Sequence, residues 1–436
     1  MTKKKYLILF IIITFFVLIQ RINNTLKTNI YDFDEGGHAK YIEYVSKNWK
    51  TPLPNENWQF YHPPLYYFFL AIPLKILNLL NNNHHFNLKI IQFTSLFFYM
   101  SLSVITILTI IRLNISQSEI LLIIYIFNLL IPVNIYMSRF ITNENFFIFI
   151  FHLIYYFLIL FFLENSNQKK IKLSVLLAIL CSISLLIKYT GLIIIIIYFI
   201  ILVFEIFKNR NNSIKYNWLK ILFLYIILIF IFNFKFYLRN YKLYKNFFVT
   251  NINDELPNFL KLSDINQGPG YRSWKNFFNF SLYFFVNCRA NSKNMINCVW
   301  QTIYSSYWFD SQSLFFQLKN NKIAIYYGRI ILLLSILPSL IILFGFFYSY
   351  KYLNKEIFFF SFLFIFLTII FFIRFTFIYP VWSALKASYF SFLNIIFSLY
   401  FFIGIYHIKN YYKKLYNLFI INFSFLFLFI YFIFWK

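Results

Sequence analysis

Acidic residues are scarce in this sequence, and three of them lie together near the N-terminus. The 436 residues include 14 Asp and Glu, of which Asp32, Asp34 and Glu35 fall in the stretch YDFDEGGHAKYIEYV. A carboxylate beside a hydroxyl group can act as a general base, and clustered carboxylates can bind a divalent metal. The alternative is a solvated cap on the helix predicted from Ala39 onward, because acidic side chains stabilise helix N-termini.

His62 begins a rigid step in the same polar segment. In WQFYHPPLYY it is followed by Pro63 and Pro64, and Pro64 can open a helix. We expect His62 to be held at the membrane interface as a substrate-binding residue, although a lone histidine can equally serve packing alone. The pair Gly36–Gly37 could let the backbone approach a ligand closely.

A short polar gap, SRFITNENFF, carries Arg139 and Glu144 between two apolar stretches. So short a gap places both side chains at the membrane surface, on the same side as Asp34. Glu144 is a second candidate for acid–base chemistry or metal binding. Simple anchoring of two helices at the interface would account for the same residues.

Cations at later positions could bind an anion. Lys188 in IKYTGL interrupts apolar sequence, where a cation is costly unless it reaches the interface or pairs with an anion. Arg374, Lys386 and Tyr389 surround another short polar segment in RFTFIYPVWSALKASYF. With Arg139, these cations could form a clamp for a phosphate group. Snorkelling of Lys188 to the interface is the alternative.

The elements that position these residues are membrane-spanning helices. The chain is 61% hydrophobic and 12% charged, whereas soluble domains are nearer half apolar and a quarter charged. Apolar runs of the length that crosses a bilayer, about 20 residues, recur along the chain. We predict an all-α polytopic fold with about eleven transmembrane helices, near 6–20, 90–111, 119–136, 145–163, 172–187, 191–207, 219–236, 324–348, 357–373, 388–405 and 416–435.

The apolar segment 64–80 is predicted to lie along the membrane surface as a juxtamembrane helix. It contains Pro73 and Lys75, and basic clusters mark cytoplasmic loops. Only if 64–80 does not cross the membrane do all five basic clusters face the cytoplasm; they begin at Lys3, Lys169, Lys208, Lys351 and Lys409. The polar segments on the other side are then 21–89, 137–144, 188–190, 237–323 and 374–387.

Composition weakens other classes of function. The net charge of +26 belongs largely to clusters that flank apolar runs, so we expect no nucleic acid partner. With 8 glycines and no glycine-rich phosphate loop, the chain carries no nucleotide-binding motif. The N-terminus lacks a small-residue cleavage site, which predicts a retained first span. Cys288 and Cys298 could form a disulfide if their segment faces an oxidising compartment.

The candidate residues converge on one side of the predicted protein, at the level of lipid head groups. There, an acceptor hydroxyl could lose its proton to a carboxylate while Arg and Lys stabilise a departing lipid phosphate. The alternative class is a polytopic transporter or lipid-linked-glycan flippase, which predicts ionisable residues inside spans and inverted repeats. A noncatalytic scaffold and a polysaccharide polymerase or ligase are further candidates.

The sequence resembles the GT-C glycosyltransferases, in the branch around family 39. The resemblance rests on FDEGGHAKYIEYV, FYHPPLYYFFLAIPLKI, SRFITNENFFIF and KYTGL, within about residues 1–210, and KASYF is similar to a late basic-x-x-Tyr motif. This branch includes the protein O-mannosyltransferases, the lipid A aminoarabinose transferases and the lipopolysaccharide galacturonosyltransferases.

The resemblance implies roles for the candidate residues. They are Asp34 as catalytic base with Glu35 and Glu144 assisting, Arg139, Lys188 and Lys386 as ligands of the donor phosphate, and His62 and Tyr389 as substrate-binding residues. Glu144 stands where the family usually has Asp, which leaves the use of a divalent metal open. No other cofactor is expected.

The resemblance also implies partners and a location. The donor would be a sugar on polyprenyl or dolichyl phosphate, transferred with inversion to a hydroxyl of a lipid, glycan or protein. We expect a multi-pass protein surrounded by membrane lipids, in the plasma (inner) membrane of a bacterium or the endoplasmic reticulum membrane of a eukaryote.

Three regions are predicted along the chain. Residues 1–236 form a transmembrane module with the catalytic external loop 21–89, residues 237–323 form an external loop region, and residues 324–436 form C-terminal transmembrane helices. The stretch YWFDSQS in the middle region offers Trp308 and Asp310 as sugar-binding residues, or is a surface loop.

Overall fold

Helices form the regular structure of the chain. The computed structural model describes residues 3–31, 35–115, 117–209, 212–250, 273–282, 298–316, 318, 321–380 and 384–435. Within these ranges there is no β-strand. Nine helices of the described part are long and apolar enough to cross a membrane, so the chain is a multi-pass integral membrane protein.

The helices of the described ranges are numbered in chain order. In the first half they are Lys3–Lys27 (α1), Glu35–Asn48 (α2), Leu65–Leu80 (α3), His84–Arg112 (α4), Ser118–Leu130 (α5), Pro132–Met137 (α6), Asn143–Leu163 (α7), Asn167–Ser184 (α8), Gly191–Lys208 (α9) and Asn212–Tyr244 (α10). In the second half they are Lys275–Phe278 (α11), Val299–Trp308 (α12), Lys322–Leu334 (α13), Ile336–Tyr352 (α14), Lys355–Ile378 (α15), the 3₁₀ helix Ala387–Leu393, Asn394–Tyr411 (α16) and Lys413–Ile433 (α17).

The predicted spans agree with helices of the structure. Nine of them coincide with the nine long apolar helices, where α13 with α14 and the 3₁₀ helix with α16 each act as one span. The remaining two predicted spans, 119–136 and 172–187, correspond to α5 with α6 and to α8. α8 begins with the polar sequence NQKKIK, which makes it less apolar than the others.

Pro132 divides the first of these two spans into α5 and α6. Proline lacks an N–H group and is favoured at the start of a helix, so α6 begins at this residue. The buried guanidinium group of Arg21 donates to the carbonyl oxygen atoms of Leu129 and Asn134 and to Ser138 Oγ. Arg21 lies one residue beyond the predicted first span but within α1, and it satisfies acceptors at a helix break.

The predicted juxtamembrane helix is α3. Its 16 residues extend about 24 Å, less than the hydrocarbon thickness of about 30 Å. Tyr67 and Leu70 are buried against the protein, whereas Phe69, Ile72 and Ile76 are exposed. An exposed face of apolar residues suits a short helix that lies at the membrane surface.

The tight turn predicted at 188–190 is confirmed, and it depends on Gly191. α8 ends at Ser184 and α9 begins at Gly191. A Cβ atom on Gly191 would lie 2.6 Å from the Ser184 carbonyl oxygen, so only glycine allows the two helix ends to approach this closely.

Candidate active site

The candidate residues come together where several helices begin. Glu35 opens α2, Arg139 lies between α6 and α7, Glu144 is in the first turn of α7, and Lys188 precedes α9. The 3₁₀ helix joins them from the C-terminal part of the chain, since Tyr389 contacts Lys188. By the predicted topology all these positions lie on the non-cytoplasmic side.

Glu35 is a buried residue that joins three segments. Its Oε1 atom accepts hydrogen bonds from the Ile141 N–H (2.8 Å) and from Gln92 Nε2 (3.0 Å). Gln92, on α4, also donates to the carbonyl oxygen of Arg139 (2.7 Å). The first residue of α2 is therefore tied to α4 and to the connection between α6 and α7. Position 34 directly precedes this anchor in the chain.

The surroundings of Glu35 favour its neutral form. Burial raises the pKa of its carboxyl group well above the usual value, and the Ile141 N–H, Arg139 and Lys89 oppose this with smaller effects. Its Oε2 atom is buried and has no hydrogen-bond partner among the described residues. This geometry supports an anchoring contribution from Glu35 beside the catalytic assistance expected from the sequence.

Arg139 is enclosed by the segment that follows α12. Its guanidinium group donates to Thr28 Oγ1 (3.2 Å) and to the carbonyl oxygen of Leu314. It also lies over the rings of Phe140 and Phe315, 4.7 and 4.5 Å from their centroids. The residue is 3% exposed, so these contacts occupy the cation that the sequence assigns to the donor phosphate.

Asp310 supports the segment that covers Arg139. Its two oxygen atoms accept hydrogen bonds from the backbone N–H groups of residues 314–316 at 2.6–2.8 Å. Burial raises the pKa of Asp310 to about 7, opposed by these N–H groups and by Arg139. Asp310 and Trp308 are both buried. The alternative of a surface loop at YWFDSQS is therefore wrong, and neither side chain is exposed to a sugar in this arrangement.

Lys188 and Glu144 form an ion pair. The Lys188 Nζ atom is 2.7 Å from Glu144 Oε1, and the two side chains are 12% and 15% exposed. The ammonium group also lies 5.0 Å from the centre of the Tyr389 ring, and Lys386 acts electrostatically on the same carboxylate. Lys188 and Lys386 therefore act on the same carboxylate. Snorkelling alone does not describe Lys188, because its ammonium pairs with a carboxylate.

His62 belongs to a stack of aromatic rings beside this ion pair. Its ring centroid is 5.3 Å from that of His38, whose Nδ1 is 2.7 Å from the Tyr67 hydroxyl. Burial, His38 and Lys188 lower the pKa of His62 well below its usual range, so the ring is neutral near pH 7. His62 Nδ1 is buried without a partner among the described residues. A neutral ring with a vacant nitrogen can exchange a hydrogen bond with a substrate hydroxyl.

Two predictions concern residues outside the described ranges, and a third concerns the glycine pair that was expected to let the backbone approach a ligand. Asp34, the predicted catalytic base, and Cys288 lie outside the described residues. At Gly37 the space next to the backbone is filled by other residues of the chain and not by a ligand. A Cβ atom there would lie 2.4 Å from Gln59 Cγ and 2.7 Å from Trp58 Nε1. In the described part of the chain, no three His, Cys, Asp or Glu side chains gather as metal ligands.

Several residues around the site were not expected from the sequence. Gln92 and Lys89 lie in the first turns of α4 and look like ordinary polar positions before an apolar run, yet Gln92 contacts Glu35 and Lys89 donates to the Thr28 carbonyl. A signal existed for His38, because it follows Glu35 by three positions and helical residues at that spacing share a face.

Comparisons with known proteins find a likeness in structure and none in sequence. No family model matches the chain, and no curated protein matches it. Among solved structures the chain is similar to ArnT from Cupriavidus metallidurans in the apo state, at 13% identity and a TM-score of 0.41, over 93% of this chain and 78% of that chain. At this identity and TM-score, the likeness assigns no family and no activity to this chain.

Two substitutions of Glu35 distinguish the effect of its charge on stability from the effect of its hydrogen bonds. Glu35→Gln keeps an oxygen atom that accepts from Ile141 and Gln92, so we expect its free energy of unfolding to stay within about 1 kcal/mol of the unmodified protein. Glu35→Ala leaves both donors unsatisfied and should lower this free energy by about 2–4 kcal/mol. Denaturant unfolding of the purified protein in detergent measures both. Equal losses in the two variants would contradict the anchoring contribution.

The pH dependence of unfolding gives an independent readout for the same residue. Because burial raises the pKa of Glu35 above its unfolded value, its contribution to stability is complete below the unfolded pKa and is lost as the pH rises through the folded pKa. Glu35→Gln should remove this decrease with rising pH. An unchanged pH profile in the variant would show that folding does not shift the pKa of Glu35, which would contradict the effect of burial.

The ion pair of Lys188 with Glu144 predicts strong coupling. Lys188→Met leaves a buried carboxylate with less compensation and should lower the free energy of unfolding by about 3 kcal/mol. Lys188→Met combined with Glu144→Leu should recover much of that loss. Lys208→Met is the matched control, because Lys208 pairs with Glu356 at 2.8 Å but is 48% exposed, and it should change stability by less than about 1 kcal/mol. Additive losses in the double variant would mean that the pair is not coupled.

Proposed function

We propose that this chain is a membrane glycosyltransferase of the GT-C type that uses a sugar linked to polyprenyl or dolichyl phosphate. The acceptor is a hydroxyl group of a lipid, glycan or protein on the non-cytoplasmic side. The observation that carries the proposal is the partly buried group of Lys188, Glu144, Lys386 and Tyr389 next to a neutral His62. It combines two cationic side chains with groups that can hydrogen-bond a sugar.

The lysines suit the leaving group of this reaction. When the bond between the anomeric carbon and the phosphate oxygen breaks, negative charge grows on the phosphate. Lys188 and Lys386 stand where they can balance that charge, and Glu144 orients the Lys188 ammonium at 2.7 Å. Since phosphate is a good leaving group, no general acid is required. Arg139 would join them if the segment that covers it moves.

Asp34 is the proposed base. It takes the proton of the acceptor hydroxyl as the acceptor oxygen bonds to the anomeric carbon, from the side opposite the departing phosphate, so the configuration inverts. The products are the glycosylated acceptor, the lipid phosphate and a protonated carboxyl group. Glu35 supports this step by fixing the chain next to position 34 through the Ile141 and Gln92 hydrogen bonds. No step of the proposal involves a metal.

Substrate binding draws on both ends of the chain. His62 would bond a sugar or acceptor hydroxyl, and Tyr389 would line the donor site beside Lys188. The division into a module at 1–236, an external region at 237–323 and C-terminal helices at 324–436 therefore describes regions of one enzyme. The first region alone does not hold all the proposed ligands of the donor, because Lys386 and Tyr389 belong to the last.

A transporter or flippase is the alternative class, and the contacts of Arg21 do not favour it. The ionisable residue buried in α1, Arg21, donates to backbone carbonyl groups at the break between α5 and α6. Arg21 thus provides donors for carbonyl groups at a helix end. In a transport pathway, ionisable side chains would instead face the solute.

Release of free polyprenyl phosphate tests the proposed reaction. Purified protein in nanodiscs would be offered a panel of polyprenyl-phosphate sugars together with a mixed acceptor extract. We expect release with at least one donor, and a fall of at least about 100-fold for Asp34→Asn, because a positioned base contributes about 10²–10⁴-fold. Glu56→Gln is the control, since Glu56 is an exposed acid of the same external loop, and it should retain full activity.

Each result has a defined meaning. Equal release by the unmodified protein and Asp34→Asn would keep the enzyme class and move the base to another residue, with Glu144 the next to replace. No release with any donor, from a protein whose unfolding is cooperative, would contradict the glycosyltransferase proposal.

A further inference from the structure

We propose that an apolar groove near the cytoplasmic ends of α14, α16 and α17 binds an anionic phospholipid. The groove has a volume of about 530 Å³, and its walls include Leu340, Phe344, Phe347, Ile408, Tyr412 and Leu415. It lies away from the proposed catalytic group and does not depend on the proposed reaction.

One wall of the groove is held in place by a close helix crossing. A Cβ atom on Gly345 would lie 1.8 Å from the carbonyl oxygen of Tyr400, so α14 and α16 pack backbone against backbone there. The neighbouring side chains on α14 point outward, with Leu340 at 54% and Phe347 at 60% exposure. The groove is therefore a fixed apolar channel that opens toward the surrounding bilayer.

The end of the groove near Tyr412 is strongly basic. Lys413 and Lys414 follow Tyr412 directly, Lys351 is in the last turn of α14, and all three lysines are exposed. The nearby acid Glu119 is already engaged by Lys409 at 2.5 Å and by the Tyr416 hydroxyl. No ion pair of the described residues involves Lys351, Lys413 or Lys414, which leaves positive charge at the mouth of the groove.

The occupant follows from this combination of an apolar channel and a basic mouth. An acyl chain fills the channel, and a negatively charged head group meets the lysines. The positive-inside rule places these lysines in the cytoplasm, where the membrane leaflet is rich in anionic lipids, and basic pockets between transmembrane helices on that side bind such head groups. A zwitterionic lipid would bring its own cation against the lysines, and a small soluble anion would leave the channel unused.

Lipid titration of the whole chain tests the site. Detergent-solubilised protein is titrated with phosphatidylglycerol or phosphatidylcholine, and retained lipid is counted by native mass spectrometry. We expect one phosphatidylglycerol to bind in preference to phosphatidylcholine, and Lys413→Gln with Lys414→Gln to lower its affinity about 30-fold, because each lysine near a membrane surface is worth about 1 kcal/mol. Lys169→Gln with Lys172→Gln is the matched control, because these two lysines are exposed at the start of α8, and it should leave the affinity unchanged.

A second variant tests the channel without changing charge. Leu340→Trp fills the groove and should lower retention of phosphatidylglycerol while Lys413 and Lys414 are intact. Equal losses for the two lysine pairs would show that the lipid binds to general positive charge and would overturn the proposal. Unchanged retention in Leu340→Trp would also overturn it, as would a mass spectrum dominated by a dimer without lipid, which would mean that a second copy of the chain covers this face.

Discussion

A buried carboxyl group with two hydrogen-bond donors determines how the external side of this protein is arranged. Glu35 holds the start of α2 against α4 and against the connection between α6 and α7. That connection carries Arg139, and Glu144 lies in the first turn of α7, the helix that follows it. A buried backbone N–H group needs a hydrogen-bond acceptor, and Glu35 is the acceptor for the Ile141 N–H. This hydrogen bond therefore holds both Glu35 and the connection in place. The proposed base at position 34 is adjacent to this anchor.

Ion pairs of lysine with glutamate lie on both predicted sides of the protein. Near the predicted cytoplasmic side, Glu205 pairs with Lys170 and Glu356 with Lys208, which joins the ends of neighbouring helices. On the other side, Glu144 faces both Lys188 and Lys386. Two partly buried lysines therefore act on one carboxylate at the proposed donor site.

Much of the fold could be predicted from the sequence, because a bilayer imposes a length and an apolar composition on each span. The prediction that α3 does not cross came instead from the five basic clusters, which all face the cytoplasm only in that case. The division of 119–136 into α5 and α6 was missed although Pro132 was visible, because apolar length alone does not show where a helix breaks. Arg21 was overlooked for a related reason: at the edge of a predicted span, it looks like an interfacial cation.

The candidate site could be predicted as a set of residues but not as a set of contacts. Lys188 and Glu144 were both identified, yet their pairing joins positions 44 residues apart and depends on how α7 packs against α8, the helix that leads to Lys188. Arg139 was grouped with the lysines on charge alone, whereas its contacts include Leu314, which is 175 positions away. The sequence around Leu314 carries no signal for this, since Asp310 resembles an exposed loop acid until its three backbone partners are known.

A structure with the lipid phosphate bound would test directly whether Lys188 and Lys386 bind the phosphate of the donor. Electron cryomicroscopy of the protein in nanodiscs with polyprenyl phosphate would locate the phosphate. We predict phosphate oxygen atoms within hydrogen-bonding distance of Lys188 Nζ, with Lys386 and Tyr389 around the same group. The carboxylate of residue 34 should lie on the side where an acceptor would enter. A phosphate bound elsewhere, remote from an unaltered Lys188–Glu144 pair, would contradict the proposed donor site.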